Sequence, residues 1–415
     1  MNWQDGETAD AVLRRAFTCQ LWALSLTKLG DALVSSRLVL AWMLTAIGSP
    51  PVLVALLVPL RESLALLPQL FVAAWLRARP VRKWFWVAGS VGQALALAAM
   101  ALALLVLPGV QAGVLVVALL AVFSLSRGVC SVVAKDVLGK TVPRRQRGRL
   151  TGYAASFAGL ATLAAAALLW WLPQAQADAR VFAALIAFAA LLWVAAASIY
   201  AAVPEAASVT GDGGRRIGDA LRALSLVYTD RPFRHFLVAR MLLVATAFSI
   251  PYLVVLIQRS GAGGMGALAA LMLAEGAAGL VSGAFWGRWS DRAAHLVMAA
   301  AAALGALVIA ICLWLGGEQG APLGMPPVAA CMLFSAAIAH HGARIGRTTY
   351  LVDMASDSTR LDYTAVSNTV MGVFLLAGAG LGLLDALWGT AAVLWFLLMV
   401  ALLAALYCAR LPAVE

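Results

Sequence analysis

Long apolar runs constrain this chain more than any other feature. A helix needs about 20 apolar residues to cross the hydrocarbon core of a bilayer. The 415-residue sequence holds twelve such runs between its proline, glycine and charge breaks. Because most connections between them are short, consecutive helices are expected to be antiparallel. The sequence therefore predicts an all-α polytopic membrane protein with twelve transmembrane helices, at approximately 17–47, 50–76, 82–107, 111–138, 150–172, 179–203, 232–258, 265–287, 294–316, 325–352, 363–386 and 388–410.

The composition excludes the soluble classes of protein. Hydrophobic residues make up 63% of the chain and charged residues only 12%, with a mean hydropathy of +0.92. A soluble domain is nearer half apolar and a quarter charged, so a soluble enzyme, a nucleic-acid binder and a secreted disulfide scaffold are excluded. The five cysteines lie in apolar stretches without a C-x-x-C or metal-ligand spacing, and no nucleotide-binding loop is visible. We expect neither enzymatic activity nor a cofactor or metal.

The distribution of basic residues predicts the orientation of the helices. With the N-terminus placed in the cytoplasm, twenty Arg and Lys residues fall in cytoplasmic segments, whereas the outer loops hold Arg180 and Arg259. By the positive-inside rule, both termini are predicted to be cytoplasmic. The first apolar run follows Arg14 and Arg15 and is too long for the core of a signal peptide, so it is expected to stay in the mature protein. Arginine outnumbers lysine 26 to 4 in an alanine-rich chain, which favours a bacterial inner membrane.

The longest connection divides the predicted helices into two groups of six. It runs from about 204 to 231 and contains the glycine-rich stretch 211–214, followed by apolar residues at helical spacing around Leu221. This pattern predicts a flexible joint and a short amphipathic helix on the inner membrane surface. The predicted organisation is an N-terminal six-helix bundle (1–203), a cytoplasmic linker (204–231) and a C-terminal six-helix bundle (232–415).

Charged residues inside the predicted spans mark an aqueous interior. Each costs about 2.5–3.5 kcal/mol at mid-bilayer on insertion scales, so these side chains should face water or one another. Polar residues recur at helical spacing in spans one, four and ten, so each helix turns one polar side toward a common cavity. We single out thirteen charged residues, ten of them on spans one, four, seven and ten: Lys28, Asp31, Arg37, Arg61, Glu62, Arg127, Lys135, Asp136, Arg240, Glu275, Arg344, Arg347 and Asp353.

A faint internal repeat relates the two halves of the chain. Arg127 precedes Asp136 by nine residues, and Arg344 precedes Asp353 by the same interval, with an offset of 217 residues between the pairs. A transporter built from two homologous halves would produce such a pattern.

With these features the chain resembles a transporter of the major facilitator superfamily over nearly its whole length. The resemblance rests on twelve spans as six plus six, on charge at every third helix, and on the loop after span eight. Arg127-Gly128 is also similar to part of the arginine motif that this family carries in span four. The loop after span eight is similar to the family signature G-x-x-x-D-R. It reads Gly287, Arg288, Trp289, Ser290, Asp291 and Arg292.

Two departures from the family pattern stand beside this resemblance. The equivalent segment after span two, residues 74–83, keeps its basic residues but has Ala74 and Ala78 where the signature has Gly and Asp. Span five lacks the Gly-Pro pair of the antiporter motif, which disfavours a drug/proton antiporter. The resemblance implies two six-helix bundles, alternating access, a site lined by helices one, four, seven and ten, and gating roles for Gly287, Asp291 and Arg292.

Two residues near mid-depth are candidates for substrate binding in the first half. Asp31 lies three residues after Lys28. One prediction is that Lys28 and Asp31 contact the substrate and that Asp31 also carries protons. The alternative is that Lys28 and Asp31 form a structural ion pair. The guanidinium of Arg127 can grip a carboxylate or phosphate with two parallel hydrogen bonds. Its alternative role is a lock to Asp31, Glu62 or Glu275.

Span ten carries the most cationic stretch inside the predicted membrane. There Arg344 and Arg347 accompany His340 and His341. We predict contact of His341, Arg344 and Arg347 with a substrate anion; a gate network with Asp353 and, for the histidines, a packing role are the alternatives.

Further carboxylates are candidates for proton coupling and gating. Asp31, Glu62 and Glu275 are the predicted proton carriers, although Glu275 could instead pair with Arg240. Lys135, Asp136 and Asp353 lie near the predicted inner mouth and are expected to form gate pairs.

The balance of charge points to an anionic solute. Among the thirteen charged residues the basic ones outnumber the acidic ones by eight to five, and a cavity with surplus positive charge favours an anion or a zwitterion. The sequence predicts a monomeric secondary transporter for a small organic anion or zwitterion, coupled to protons, with the lipid bilayer and no nucleic acid as partners. One alternative is an exporter of amphipathic or cationic compounds, and another is a non-transporting membrane assembly or sensing factor.

Overall fold

A computed structural model describes residues 9–69, 72, 79–171, 178–207, 223–262, 264–316, 321–355 and 360–413. Within these ranges the backbone forms α-helices joined by turns and short 3-10 segments, with no strand. Eight helical stretches of the described chain are long and apolar enough to cross a membrane. The protein is therefore an all-α multi-pass membrane protein, as the apolar runs predict.

The helices follow the predicted spans closely in most places. In chain order they are α1 (Ala9–Leu33), α2 (Val39–Ala46), α3 (Pro51–Leu66), α4 (Lys83–Val106), α5 (Gly109–Thr141), α6 (Arg144–Trp171), α7 (Ala179–Ala201), α8 (Leu226–Thr229), α9 (Arg231–Leu242), α10 (Ala245–Arg259), α11 (Met265–Leu315), α12 (Ala321–Gly324), α13 (Pro326–Met354), α14 (Arg360–Ala377) and α15 (Leu381–Ala409).

Three predicted spans are interrupted. Span one is split into α1 and α2 by residues 34–38, which are not helical. Span seven is split into α9 and α10 at residues 243–244, and span eleven passes through a 3-10 turn at Gly378–Gly380. At this last turn a Cβ on Gly378 would collide with the ring of Phe248, so glycine permits the close approach of α10.

Two long helices are each divided by one non-helical residue. Ala293 (φ −157°, ψ 71°) divides α11 near the predicted boundary between spans eight and nine. Gly389 divides α15 with a φ of 80°, a left-handed conformation that favours glycine. The segment from Gly287 to Arg292 is helical and belongs to the first part of α11, so the expectation that it forms a loop is wrong.

The chain divides into two compact units. Unit 1 comprises Met1–Val34, Leu60–Ala161 and Arg180–Leu221. In its core Trp86 stacks on Tyr200 with ring centroids 3.9 Å apart, next to Val133, Val137 and Ala196. Unit 1 therefore buries an aromatic pair where α4, α5 and α7 meet.

Unit 2 comprises Ser35–Pro59, Thr162–Ala179 and Arg222–Glu415. Its core contains Phe233, Phe236, Met298 and Tyr350, and a Cβ on Gly342 would lie 2.6 Å from the Trp286 ring. Helices α11 and α13 therefore pack at close range. The domain boundaries at 203 and 232 stay a prediction, because residues 208–222, including the proposed amphipathic stretch, lie outside the described residues.

Candidate functional site

A three-residue ion cluster lies in unit 1. The Asp31 carboxylate on α1 accepts a hydrogen bond from Nη2 of Arg61 at 2.8 Å, and both of its oxygens accept from Nη1 of Arg127. The side chains are 9% exposed for Arg61, 22% for Asp31 and 38% for Arg127. One carboxylate therefore serves two arginines, of which Arg127 is the accessible one.

Arg61 has a second function in this cluster. Its Nη1 donates to the backbone carbonyl of Val34 at 2.7 Å, the first residue beyond the end of α1. The interruption of span one leaves that carbonyl without its helical partner, and the guanidinium satisfies it. The same guanidinium lies 5.2 Å from the centroid of the Phe123 ring. Arg61 thus joins the charge cluster to the break in the helix, a role that the sequence did not reveal.

Asp31 has one partner that was predicted and one that was not. Arg127 does lock onto Asp31, one of the alternatives considered for it, and Arg61 is the partner that was not predicted. The residue Lys28 is exposed, and its pairing with Asp31 stays a prediction. Glu62 follows Arg61 on α3 and is half-buried.

A cationic cluster, comprising Arg37, His340, His341, Arg344 and Arg347, lies in unit 2. Arg37, in the interruption of span one, has its Nη1 2.5 Å from Nε2 of His340. The ring centroid of His341 lies 6.0 Å from that of His340, and Arg344 and Arg347 follow on the same helix, α13. The predicted span-ten residues are therefore brought together, and Arg37 joins them from a distant part of the sequence.

Glu275 and Arg240 are the other candidate pair of unit 2. Glu275 is half-buried on α11. Arg240 is directed to α14, where Nη1 donates to the Ser367 hydroxyl and Nη2 donates to Asn368 Oδ1 at 3.0 Å. The hydrogen bonds of Arg240 therefore go to α14 and not to Glu275, its predicted alternative partner.

The predicted gate residues are arranged differently from expectation. Asp136 accepts a hydrogen bond from Arg82 Nη1 at 2.6 Å and forms an ion pair with Lys140 Nζ at 2.8 Å, whereas the neighbouring Lys135 is exposed. The exposed residues Asp291, Arg292 and Asp353, with the half-buried Gly287, remain predicted gate residues.

Glu205 is the functional candidate that sequence reasoning missed at this end of unit 1. Its side chain is fully buried. Oε2 accepts from the backbone N–H groups of Arg82 and Lys83 at 2.9 and 2.6 Å, and Oε1 accepts from Lys140 Nζ at 3.0 Å. Glu205 thereby ties the chain after α7 to the start of α4 and the end of α5. The available signal was an acidic residue directly after the Val-Pro pair that follows span six.

Asp385 was also missed, although it lies within the limits predicted for span eleven. Its side chain is buried and accepts from the Thr390 hydroxyl at 2.9 Å, which in turn accepts from Arg259 Nη1 at 2.8 Å. As for metals, the described residues contain no group of three or more His, Cys, Asp or Glu side chains that could hold an ion.

Gly128, next to Arg127, permits close packing of α5 on the end of α3. A Cβ there would lie 2.8 Å from Pro68 Cγ and 3.0 Å from the Ala65 carbonyl oxygen, whereas a Cβ on Gly152 would meet nothing within 4 Å. We expect Gly128→Ala to lower the melting temperature of the purified protein. Gly152→Ala should leave it unchanged or raise it, because alanine is the better helix former by about 0.5–1 kcal/mol. Equal melting temperatures for the two variants would contradict this packing.

Comparisons with known proteins agree with this architecture. The family model of the Major Facilitator Superfamily matches residues 21–343. The solved structure of the nucleoside transporter NupG is similar with a TM-score of 0.76 at 10% identity, over 95% of this chain and 99% of that chain. A D-xylose-proton symporter has a TM-score of 0.69 at 13% identity, over 96% and 98% of the two chains.

A third similar structure is a POT family transporter in complex with 5-aminolevulinic acid. Its TM-score is 0.67 at 12% identity, over 95% of this chain and 94% of that chain. A comparison with the sequences of curated proteins finds no match.

The apolar helices define a multi-pass membrane protein, and the match to the family model indicates a transporter rather than an enzyme. Because the family model matches well over half of the sequence, the chain belongs to the major facilitator superfamily.

Proposed function

We propose that this protein is a secondary transporter of a small organic anion or zwitterion that works by alternating access. The cationic cluster of unit 2 carries the proposal. Arg37 lies within hydrogen-bond distance of the buried His340, and Arg344 and Arg347 follow His340 on α13. Positive charge concentrated beside low-dielectric walls attracts anions and raises their local concentration.

The cluster of unit 1 supports coupling to protons. While Asp31 is ionised it occupies Nη1 of Arg127. Protonation of Asp31 would weaken this pair and free the guanidinium for a substrate carboxylate. Arg61 would stay in place through its bond to the Val34 carbonyl. We propose Asp31 as the principal proton carrier, with Glu62 and Glu275 as further candidates, and His341, Arg344 and Arg347 as substrate contacts with Lys28 and Arg127.

The full architecture is part of the same proposal. We propose twelve transmembrane helices as six plus six, with the linker at 204–231 and both termini in the cytoplasm of a bacterium. Support comes from the basic residues: Arg82, Lys140 and Arg147 gather at one end of unit 1, as the positive-inside rule expects of a cytoplasmic face. The ion pairs of Asp136 and Glu205 at that end would then form part of the inner gate.

Two of the similar structures are compatible with this reading. One is described as a proton symporter of D-xylose and another as a complex with 5-aminolevulinic acid, a zwitterion. The superfamily fold therefore accommodates both proton coupling and a zwitterionic ligand in other proteins.

The first experiment is a ligand screen by thermal stabilisation of the purified protein. The probes are succinate, 5-aminolevulinate, D-xylose, uridine and ethidium, at pH 5.5 and 7.5. A ligand that binds the folded state raises its melting temperature. We expect stabilisation by a carboxylate probe, lost in Arg127→Gln and Arg344→Gln and retained in the control Arg410→Gln, whose side chain is exposed.

The stabilising probe is then tested for uptake into proteoliposomes with and without a pH gradient. Accumulation that requires the gradient would support proton coupling. Stabilisation by ethidium alone would instead contradict an anion carrier and favour the export of cationic compounds.

A further inference from the structure

Arg240 is a buried cation that has neutral hydrogen-bond partners. Its residue is 8% exposed, and its Nη groups donate to the Ser367 hydroxyl and the Asn368 amide oxygen of α14. Its Nε lies buried without a hydrogen-bond partner. Arg240 lies inside the predicted span seven, and all three residues belong to unit 2.

The hydrogen-bond partners of Arg240 are neutral groups of α14. Among the residues that the structure describes, no carboxylate forms a hydrogen bond or ion pair with it. Buried charges in proteins are ordinarily paired, because removing an ion from water costs far more than a neutral hydrogen bond returns.

From this arrangement we propose that Arg240 and Asn368 form an oxyanion-binding site in unit 2. Its ligand is a carboxylate or phosphate group, which would supply the missing negative charge. A guanidinium has five N–H donors in one plane. In Arg240 one donor of Nη1 bonds to Ser367 and one donor of Nη2 bonds to Asn368. The second proton on each Nη remains for the parallel pair of bonds that a carboxylate or phosphate accepts.

Asn368 suits the site for two further reasons. Its amide oxygen is held by Arg240, so its –NH2 group is left as a donor toward an anion. Its residue is half-buried, in contrast to the fully buried Ser367, so Asn368 is the more accessible of the two partners of Arg240.

This site is separate from the Asp31 cluster, where a carboxylate of the chain already neutralises Arg127. Only the role of this site in transport rests on the proposed function, because oxyanion binding can be measured without transport. We expect that the empty site destabilises the protein and that an anion stabilises it.

The test compares melting temperatures of the full-length protein in a chloride buffer with and without sodium phosphate or succinate, at constant ionic strength. We expect phosphate to raise the melting temperature of the wild type and of Arg127→Gln, and succinate to raise that of the wild type. The difference between the phosphate and succinate arms identifies the preferred oxyanion.

The decisive variant is Arg240→Met, which keeps the side chain long and removes the charge. We expect its melting temperature without oxyanion to be about 2–4 °C above that of the wild type, and its response to oxyanion to be lost. Arg240→Lys keeps the charge without the planar fork and should respond weakly. Asn368→Leu should reduce the response while Arg240 stays in place.

Three results would overturn the site: a melting temperature of Arg240→Met below the wild type, a failure of that variant to fold, or an unchanged response to oxyanion. Each would show that Arg240 is a structural residue. A response that depends on Arg240 without uptake of any organic anion would contradict the proposed function and leave the site standing. Stabilisation by a carboxylate that is lost in Arg127→Gln but kept in Arg240→Met would overturn the Arg240 site and leave the proposed function standing.

Discussion

Arg61→Met is expected to destabilise the protein much more than Arg127→Gln, although both arginines bind the same carboxylate. Arg61 is nearly buried, and its loss removes one partner of Asp31 and leaves the Val34 carbonyl unsatisfied at the break in span one. A lost charge-assisted bond together with an unpaired buried carbonyl costs about 3–5 kcal/mol. Arg127 is more than a third exposed, so its pair with Asp31 should contribute about 1 kcal/mol or less to stability.

The two variants therefore separate a structural arginine from a functional one. The free energy of unfolding in detergent, measured by denaturant titration, should fall strongly for Arg61→Met and slightly for Arg127→Gln. Arg127→Gln should keep most of its stability but should lose the rise in melting temperature that a carboxylate ligand causes. If Arg127→Gln were the less stable variant, Arg127 would be the residue that supports the break in the helix.

Glu205→Gln should give the other large loss of stability. The buried carboxylate of Glu205 accepts three hydrogen bonds, from two backbone N–H groups and from the Lys140 ammonium. An amide has a single acceptor oxygen, so the substitution removes the charge and turns an –NH2 group toward donors. Because hydrogen bonds to charged groups contribute about 1.5–3 kcal/mol each, we expect a loss of about 3 kcal/mol.

Asp291→Asn is the matched control for Glu205→Gln. It makes the same acid-to-amide change at an exposed position, and its stability should stay within about 0.5 kcal/mol of the wild type. If Glu205→Gln were as stable as the wild type, the hydrogen bonds of Glu205 to the start of α4 and the end of α5 would not stabilise the fold. Transport measurements on the same two variants would show whether either residue also acts in gating.

The charged residues show where sequence reasoning succeeded. Helical spacing placed His341, Arg344 and Arg347 on one helix, and α13 confirms that helix. A cost of burial for each charge also predicted that Asp31 and Arg127 would find partners, and they find each other. These inferences needed only the period of the helix and the energetics of charge in an apolar medium.

Other parts of the site lay beyond the sequence. Arg37 reaches His340 across 303 positions of the chain, and Glu205 reaches the start of α4 across more than a hundred. Neither pairing has a local pattern. The break at 34–38 was also missed, because Ser35, Ser36 and Arg37 were assigned to the polar side of a continuous helix.

The sequence by itself determined the class of the protein, because the length and composition of its apolar runs leave a membrane-spanning helical fold as the available way to satisfy the backbone. The tertiary structure alone decided which charges are paired. A carboxylate is neutralised by whichever cation the packing of helices brings within about 3 Å, and that choice depends on helix rotation and on breaks such as the one after Val34. The same choice leaves Arg240 among neutral partners, and for this reason the structure rather than the sequence points to it as an anion site.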